Sequence, residues 1–306
     1  MSDIIGIDIG GTKTAIGVVD NQGQIKQRKT IPTDLTVSPD TMLERIGDAV
    51  EALERPIGDV QIKGIGIGAP GPLDPDQGRM LGPPNLPTWH NLDVSSYFHE
   101  RFQWPVELQN DAVAALFAER WTGAAKGCED VVYLTISTGI GSGIISGGRL
   151  IKGVSGNAGE VGHIVIDPSF GECVCGQKGC FEYIASGTGI SNHGSRALGE
   201  TLSAEEIFSL ARSGNQEAAA FLDKIYAVMG AGCVTLVNSF DPERIVIGGG
   251  VSKAGGDMFE AIQSYVSRYA LNERGRAVSI VPASHGTDAG LIGAAAQLLL
   301  KGGEAL

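Results

Sequence analysis

Apolar residues open the chain in short blocks of strand length. Ile4 to Gly10 is an apolar run interrupted only by Asp8, Thr14 to Val19 is a second, and Gln24 to Ile31 follows the turn Asp20-Asn21-Gln22-Gly23. The pattern predicts strand, glycine elbow, strand, turn, strand. Ser38-Pro39 then opens a helix reaching about Arg55, with Ser as N-cap, Pro at the first helical position and Met42, Ile46, Val50 and Leu53 along one face. A buried strand is expected over Val60 to Ala69. The stretch from Pro70 to His90, rich in Pro, Gly and Asn, reads as a long loop of the kind that carries function. A short strand at Val106 to Gln109 runs into a helix that begins at Asn110 or Asp111.

The opening pattern recurs in the second half. Val131 to Ile136 is apolar, Ser137 to Gly143 forms an elbow, and Ile144-Ile145 and Leu150-Ile151 continue as strands around Gly147-Gly148. Helices follow near 203–213, 216–238, 257–271 and 288–300, with strands near 243–247 and 278–281, and Ser203 to Glu206 has capping-box spacing. A duplicated strand-elbow-strand unit alternating with helices predicts an α/β fold of two related lobes with a cleft between them. The lobes are expected at 1–112 together with a C-terminal helix over 290–306, and at 113–289.

Composition narrows the picture. The 306 residues include 45 glycines, roughly twice the usual share. No glycine recurs at every third position, and 42% hydrophobic against 19% charged residues excludes a disordered chain. A net charge of −12 argues against a nucleic-acid or anionic-membrane surface, so an anionic ligand must be held locally. The longest uncharged stretch, Val131 to Gly148, is broken by Gly, Ser and Thr and falls short of the roughly 20 apolar residues of a membrane span. Met1-Ser2-Asp3 leads straight into a strand with no basic or apolar leader, which predicts a cytoplasmic protein. Of five cysteines, an odd number, three lie between 173 and 180, a spacing suited to a thiolate site rather than a disulfide framework.

Several motifs could carry chemistry. In Asp8-Ile9-Gly10-Gly11-Thr12-Lys13-Thr14, adjacent glycines let backbone N–H groups approach a phosphate, Thr12 and Lys13 add donors, and Asp8 could hold a hydrated Mg²⁺. A plain hairpin turn would look similar, and the Walker pattern fails because a strand follows. Thr138, Gly139 and Gly141 repeat the glycine spacing without a cation. Gly66 to Gly71 matches a dinucleotide fingerprint by letters only, since Pro70 and Pro72 prevent the required helix. Gly248-Gly249-Gly250, after a strand, is either a flexible turn or a close approach for a nucleoside. Asp111 reads as a helix N-cap or as a carboxylate able to accept a hydroxyl proton, and both hold if Asn110 is the cap. His163, Cys173, Cys175 and Cys180 supply the four N/S ligands of a closed tetrahedral Zn²⁺ site, which would be structural. Glu160 and Glu182 flank that knuckle, and carboxylates are good partners for vicinal sugar hydroxyls. Cys233 reads as core, and His90, His99, His193 and His285 as surface or loop residues.

Taken together, Asp8 to Lys13, Gly68 to Pro72, Asn85 to Trp89, Asn110-Asp111, Glu160 to His163 and Cys173-x-Cys175-Gly-x-x-Gly-Cys180-x-Glu182 resemble the ROK family of repressors, open reading frames and kinases, most closely its ATP-dependent glucokinases. The resemblance implies an actin-like, hexokinase-type (ribonuclease H-like) fold. It implies that Asp111 is the general base taking the proton from the 6-hydroxyl of glucose as it attacks the γ-phosphate of Mg·ATP. It further implies that Gly68, Asn85, Asn110, Glu160, His163 and Glu182 hold the hexose, that Gly10 to Lys13 with Thr138, Gly139 and Gly141 cradle phosphates, and that Gly249 and Gly250 lie near the nucleoside. His163 would use one ring nitrogen for zinc and the other for a sugar hydroxyl. A homodimer or homotetramer is implied as well. Val174 between the first two cysteines and Phe181 before Glu182 depart from the family pattern without removing a ligand. Kinases for N-acetylmannosamine, fructose or mannose, a polyphosphate donor, and a sugar-sensing repressor are the alternatives. The repressor is disfavoured because only Met1 to Asp3 precede the first strand, where such proteins carry a helix-turn-helix domain.

Overall fold

The computed structural model of the protein describes residues 2–54 and 61–301. Its first half runs β1 (Ser2–Ile9), β2 (Lys13–Val19), β3 (Ile25–Pro32), α1 (Pro39–Glu54), β4 (Gln61–Ala69), the two-residue strands β5 (Leu73–Asp74), β6 (Arg79–Met80) and β7 (Leu92–Asp93), α2 (Val94–Phe102), β8 (Val106–Asn110) and α3 (Asp111–Thr122). The second half runs β9 (Val131–Ile136), β10 (Ile140–Ser146), β11 (Arg149–Leu150), α4 (Phe181–Ala185), α5 (Gly187–Leu198), α6 (Ala204–Arg212), α7 (Gln216–Phe240), β12 (Arg244–Gly248), α8 (Gly256–Tyr269), α9 (Glu273–Arg276), β13 (Ser279–Pro282) and α10 (Ala289–Lys301). The expected ends at Arg55 and Val60, and the last residues of 290–306, lie outside the described residues.

The described residues of Met1–Gly127, Lys152–Ala158 and Thr287–Leu306 form one compact unit. Its main sheet has the order β3-β2-β1-β4-β8, with β1 antiparallel to β2 and parallel to β4, and β4 parallel to β8. One face of the sheet is aliphatic: Ile5, Ile7, Ile16, Val18, Ile65 and Ile67 share a core with Met42, Ile46 and Val50 of α1. Because side chains alternate along a strand, the other face shows Gly17, Gly6 and Gly66, which are register partners in one row. That row is a trough without Cβ atoms, and α10 lies in it. A Cβ on Gly66 would run into the Ala294 carbonyl, and one on Gly6 into the Leu291 carbonyl. Gln297 of α10 donates from Nε2 to the Ile67 carbonyl at 3.1 Å. Part of the glycine surplus therefore serves helix-on-sheet packing.

The same packing corrects the expected lobe boundary. Gly293 of α10 sits against the Ala114 carbonyl of α3, so α3 belongs with α10 and the first unit extends past 112 to Gly127. Residues 152–158, expected in the second lobe, also fall in the first unit, where Lys152 Nζ reaches Asp76 at 3.4 Å. The expected loop from Pro70 to His90 holds more structure than its composition suggested. β5, β6 and β7 form a small sheet, and Leu86 and Trp89 are fully buried in the unit's core.

Residues Cys128–Ile151 and Gly159–Gly286 form the second unit. Its sheet has the order β11-β10-β9-β12-β13, with β9 antiparallel to β10 and β12 parallel to both β9 and β13. The strand-elbow-strand arrangement of the first unit is thus repeated, as predicted. Val132, Leu134 and Ile136 pack with Ile225, Met229, Cys233 and Leu236 of α7. α7 is long and apolar enough by length and composition to cross a membrane, with a mean hydropathy of 1.5. Its apolar face is core, however, while Asp223, Lys224, Thr235 and Asn238 face outward.

Candidate active site

In the first unit the chemistry gathers at the carboxyl ends of parallel strands, where open α/β sheets bind ligands. Asp8 of β1, Gly68 of β4 and Gln109 of β8 are register partners across three strands, and Asn110 pairs with Ala69 one step further. The elbow after β1 is tight: Gly10 N–H donates to the Lys13 carbonyl at 3.0 Å, and Thr33 N–H donates to the Thr12 carbonyl at 3.0 Å. The side chains of Thr12 and Lys13 are left exposed. Gly11 is pressed against the backbone of Asn85, which brings the exposed Asn85 side chain to the elbow. Gly68 lies 3.3 Å, measured from an ideal Cβ, from the Ala114 methyl, so its lack of a side chain makes room for α3.

Asn110 caps α3, as the dual reading required. Its Oδ1 accepts from Ala112 N–H at 3.0 Å, and its Nδ2 faces Gly71. Asp111 occupies the first helical turn and is exposed, with Oδ1 also accepting from Ala112 N–H at 2.8 Å. Asp8 is set deeper, against Gly290 in the first turn of α10. Burial, and then the charge of Asp111, push its carboxyl up to about 6, against the opposing pull of Lys13 and Arg28. The carboxylate oxygens of Asp8 are hard donors of the kind that would suit Mg²⁺.

In the second unit the elbow after β9 is held from several sides. Ser137 N–H donates to the Gly139 carbonyl at 2.9 Å, and Gly187 N–H donates to the Ser137 carbonyl at 2.7 Å. Below the turn, Ile140 N–H donates to Glu182 Oε2 at 2.8 Å. Glu160, exposed, precedes a short 3-10 turn over Val161–His163, whose Gly162 is packed against the Ile140 carbonyl.

The knuckle assembles as its spacing predicted. The ligand atoms of His163, Cys173, Cys175 and Cys180 all lie within 4.8 Å of one another. Cys173 Sγ is 3.8 Å from His163 Nδ1, and Cys175 Sγ is 3.5 Å from Cys180 Sγ. A tetrahedral zinc with bonds of about 2.3 Å has ligand-to-ligand edges of about 3.8 Å, so the donor set fits that ion. Nδ1 faces the thiols, leaving Nε2 of His163 for another partner. The chain reverses through Gly176 and Gly179, both at positive φ. The Gln177 backbone N–H, first among several causes, draws the Cys175 thiol down to about 7, whereas burial pushes Cys180 up to about 12. Cys233 is buried core, as expected. His193 departs from expectation. It lies in α5, half-buried between Tyr183 and Phe170, with Nε2 3.2 Å from the Tyr183 carbonyl, and burial lowers its pKa. His99, in α2 with Nδ1 2.8 Å from the Trp104 carbonyl, is exposed, as expected.

A cavity of about 700 Å³ opens within the second unit beside this elbow. Ser137 and Thr138 line it, together with Gly187 and Thr188 at the start of α5, Gly250 and Lys253 after β12, and Arg212. Gly249 backs onto Ile136 at a φ of 84°, a conformation that favours glycine, and its carbonyl accepts from Ser252 Oγ at 2.7 Å.

The sequence matches the ROK family over residues 4–301. The chain belongs to the ROK family. It is 34% identical to the glucokinase of Halalkalibacterium halodurans, over 96% of this chain and 94% of that protein. It is 34% identical to the N-acetylmannosamine kinase of Citrobacter koseri, over 97% of this chain and 98% of that protein. A ROK family glucokinase from Streptomyces griseus, solved in complex with glucose and AMPPNP, superposes with a TM-score of 0.77 at 32% identity, over 96% of this chain and 98% of that one. The ROK fold is of the actin-like, hexokinase type, in line with the duplicated sheets.

Part of this ROK protein's cavity was not apparent from its sequence. No element was expected over Ser186-Gly187-Thr188-Gly189, yet Ser186 Oγ accepts from Gly189 N–H at 3.0 Å and caps α5. Arg212 and Lys253, from separate elements, bring positive charge to a pocket whose elbow has none.

Proposed function

We propose that this ROK protein is an ATP-dependent hexose kinase, transferring the γ-phosphoryl group of Mg·ATP to the 6-hydroxyl of D-glucose. The observation that carries the reading is the paired Asp8 and Asp111 at the carboxyl ends of β1 and β8, one deep and the other exposed on a capped helix terminus. Phosphoryl transfer asks for positioning and charge neutralisation, plus one base to accept the hydroxyl proton. Asp111 suits that base because it is exposed, and Asn110 carries the cap alongside it.

In this reading Asn85, the Nδ2 of Asn110 and backbone near Gly68 hold the hexose, with Glu160, His163 Nε2 and the free oxygen of Glu182 taking further hydroxyls. The elbows at Gly10, Gly11, Thr12 and Lys13 and at Thr138, Gly139 and Gly141 receive phosphates, and Gly249 and Gly250 line the nucleoside end. Asp8 would hold Mg²⁺, which when bound would supply charge neutralisation at the phosphoryl group. His163, Cys173, Cys175 and Cys180 would hold a structural zinc, which would fix the orientation of the His163 ring. Backbone donors, Lys13 and Mg²⁺ acting locally let a chain of charge −12 bind ATP. The proposal extends to a cytoplasmic enzyme of carbohydrate breakdown (glycolysis), assembled as a homodimer or homotetramer, and light scattering measures the assembly.

N-acetylmannosamine is the second reading, favoured by the 34% identity to the Citrobacter koseri kinase. A coupled assay offering ATP or polyphosphate with glucose, mannose, fructose and N-acetylmannosamine ranks them by kcat/KM. Glucose with ATP is expected to lead. If N-acetylmannosamine leads, the kinase reading stands with a different acceptor; turnover with no sugar defeats it.

A further inference from the structure

Glu182 has a structural partner that sugar binding does not explain. Its Oε2 accepts from the backbone N–H of Ile140, the first residue of β10 within the second elbow, at 2.8 Å. Gly139 lies directly over the same carboxylate, where a Cβ would collide with Oε2. The carboxylate therefore supports the elbow from below, and Ser137 and Thr138 of that elbow line the cavity.

The same carboxylate is tied to the cysteine knuckle through a short stretch of chain. Cys180 is the N-cap residue of α4, and Glu182 sits in the first turn of that helix. Cys180 Sγ is 3.7 Å from the His163 carbonyl, and Phe181 N–H donates to the Ile164 carbonyl at 2.9 Å, fixing α4 to the His163 segment. At the other end of α4, Gly187 N–H donates to the Ser137 carbonyl at 2.7 Å, so α5 starts against the elbow and gives Gly187 and Thr188 to the cavity wall. Two walls of the cavity thus depend on one helix of five residues, itself anchored at the knuckle.

We propose that Glu182 is a positioning residue for the phosphate-donor pocket: its carboxylate sets the second elbow, and through α4 the knuckle supports nucleotide binding as well as sugar binding. The inference rests on the kinase reading for the identity of the ligand and on this chain's own hydrogen bonds for the coupling. A charged acceptor removed from a backbone N–H at a turn weakens the turn by enough to change affinity about tenfold.

The test compares wild type with Glu182→Ala, Glu182→Gln and Glu182→Asp, reading KM for ATP, KM for the sugar, and hydrogen exchange of the peptide containing Ile140. Ala and Asp, which remove or withdraw the acceptor, are expected to raise KM for ATP about tenfold and to speed exchange at the elbow by a similar factor. Gln keeps a carbonyl acceptor and is expected to restore both, whatever it does to the sugar. Unchanged exchange and unchanged KM for ATP in the Ala and Asp variants would overturn the proposal and leave Glu182 as a sugar ligand only. Loss of elbow protection in the Gln variant would overturn it too. Should the wild type phosphorylate no sugar, the kinase reading fails separately, and exchange at Ile140 still decides whether Glu182 supports the elbow. If the Ala variant does not fold, the Asp and Gln pair carries the comparison.

Discussion

Replacing Asp8 by Asn tests the electrostatics of the site in a way that needs no substrate. The Asp8 carboxyl is raised from 3.8 to about 6, chiefly by burial and then by Asp111. The folded state therefore keeps a proton that the unfolded chain has already released between about pH 4 and pH 6, and stability falls as pH rises through that interval. Above it the penalty is complete, at most about 3 kcal/mol at about 1.4 kcal/mol per pKa unit. At pH 5 about half of it is present. Asn matches the shape of Asp and carries no charge, so Asp8→Asn is expected to be more stable than wild type by up to about 1.5 kcal/mol at pH 5 and up to about 3 kcal/mol at pH 8. These are ceilings, because the carboxyl keeps a partly open face to water. Urea unfolding of both proteins at the two pH values, in buffer free of Mg²⁺ and nucleotide, supplies the difference. Adding Mg²⁺ at pH 8 should narrow it by stabilising the wild type alone. A difference that does not change with pH, or an Asn variant less stable at pH 8 than at pH 5 relative to wild type, would refute the reasoning.

Two further expectations follow from packing and metal chemistry. Cys175→Ala removes one of four donors in the knuckle and should lose one bound zinc per chain and lower both stability and hexose affinity; metal analysis finding no zinc in purified wild type would contradict this. Gly66→Ala drives a methyl into the Ala294 carbonyl in the trough under α10, a backbone clash expected to cost about 3 kcal/mol or more in a denaturant titration, while wild-type stability would mean that α10 is not seated there.

What could be read directly from the sequence was what neighbouring residues encode together. The two elbows and the capping box at Ser203 and Glu206 each lie within about ten residues, and the cysteine knuckle with His163 within about twenty, so spacing alone outlined them. The Asn110 cap beside an exposed Asp111 was legible for the same reason. Features that depend on distant partners were not. α5 is rich in Gly and Ser, and its helix is held by the Ser186 cap and by burial of Gly189, Ile190 and Gly194. The first unit gains α3 because Gly293 receives the Ala114 carbonyl, a contact between residues far apart in the chain. Glu182 was expected near a sugar on chemical grounds, and nothing local announced its bond to Ile140. Arg212 and Lys253 meet at one cavity only after α6 and the segment following β12 have packed.

Single-turnover phosphoryl transfer from Mg·ATP to glucose by wild type and Asp111→Asn measures the role of Asp111 as the base for sugar phosphorylation. Because Asn110 is retained as a cap, the variant should fold and bind sugar, yet transfer phosphate slower by about 10²- to 10⁴-fold. Transfer within about tenfold of wild type would show that Asp111 is not the base.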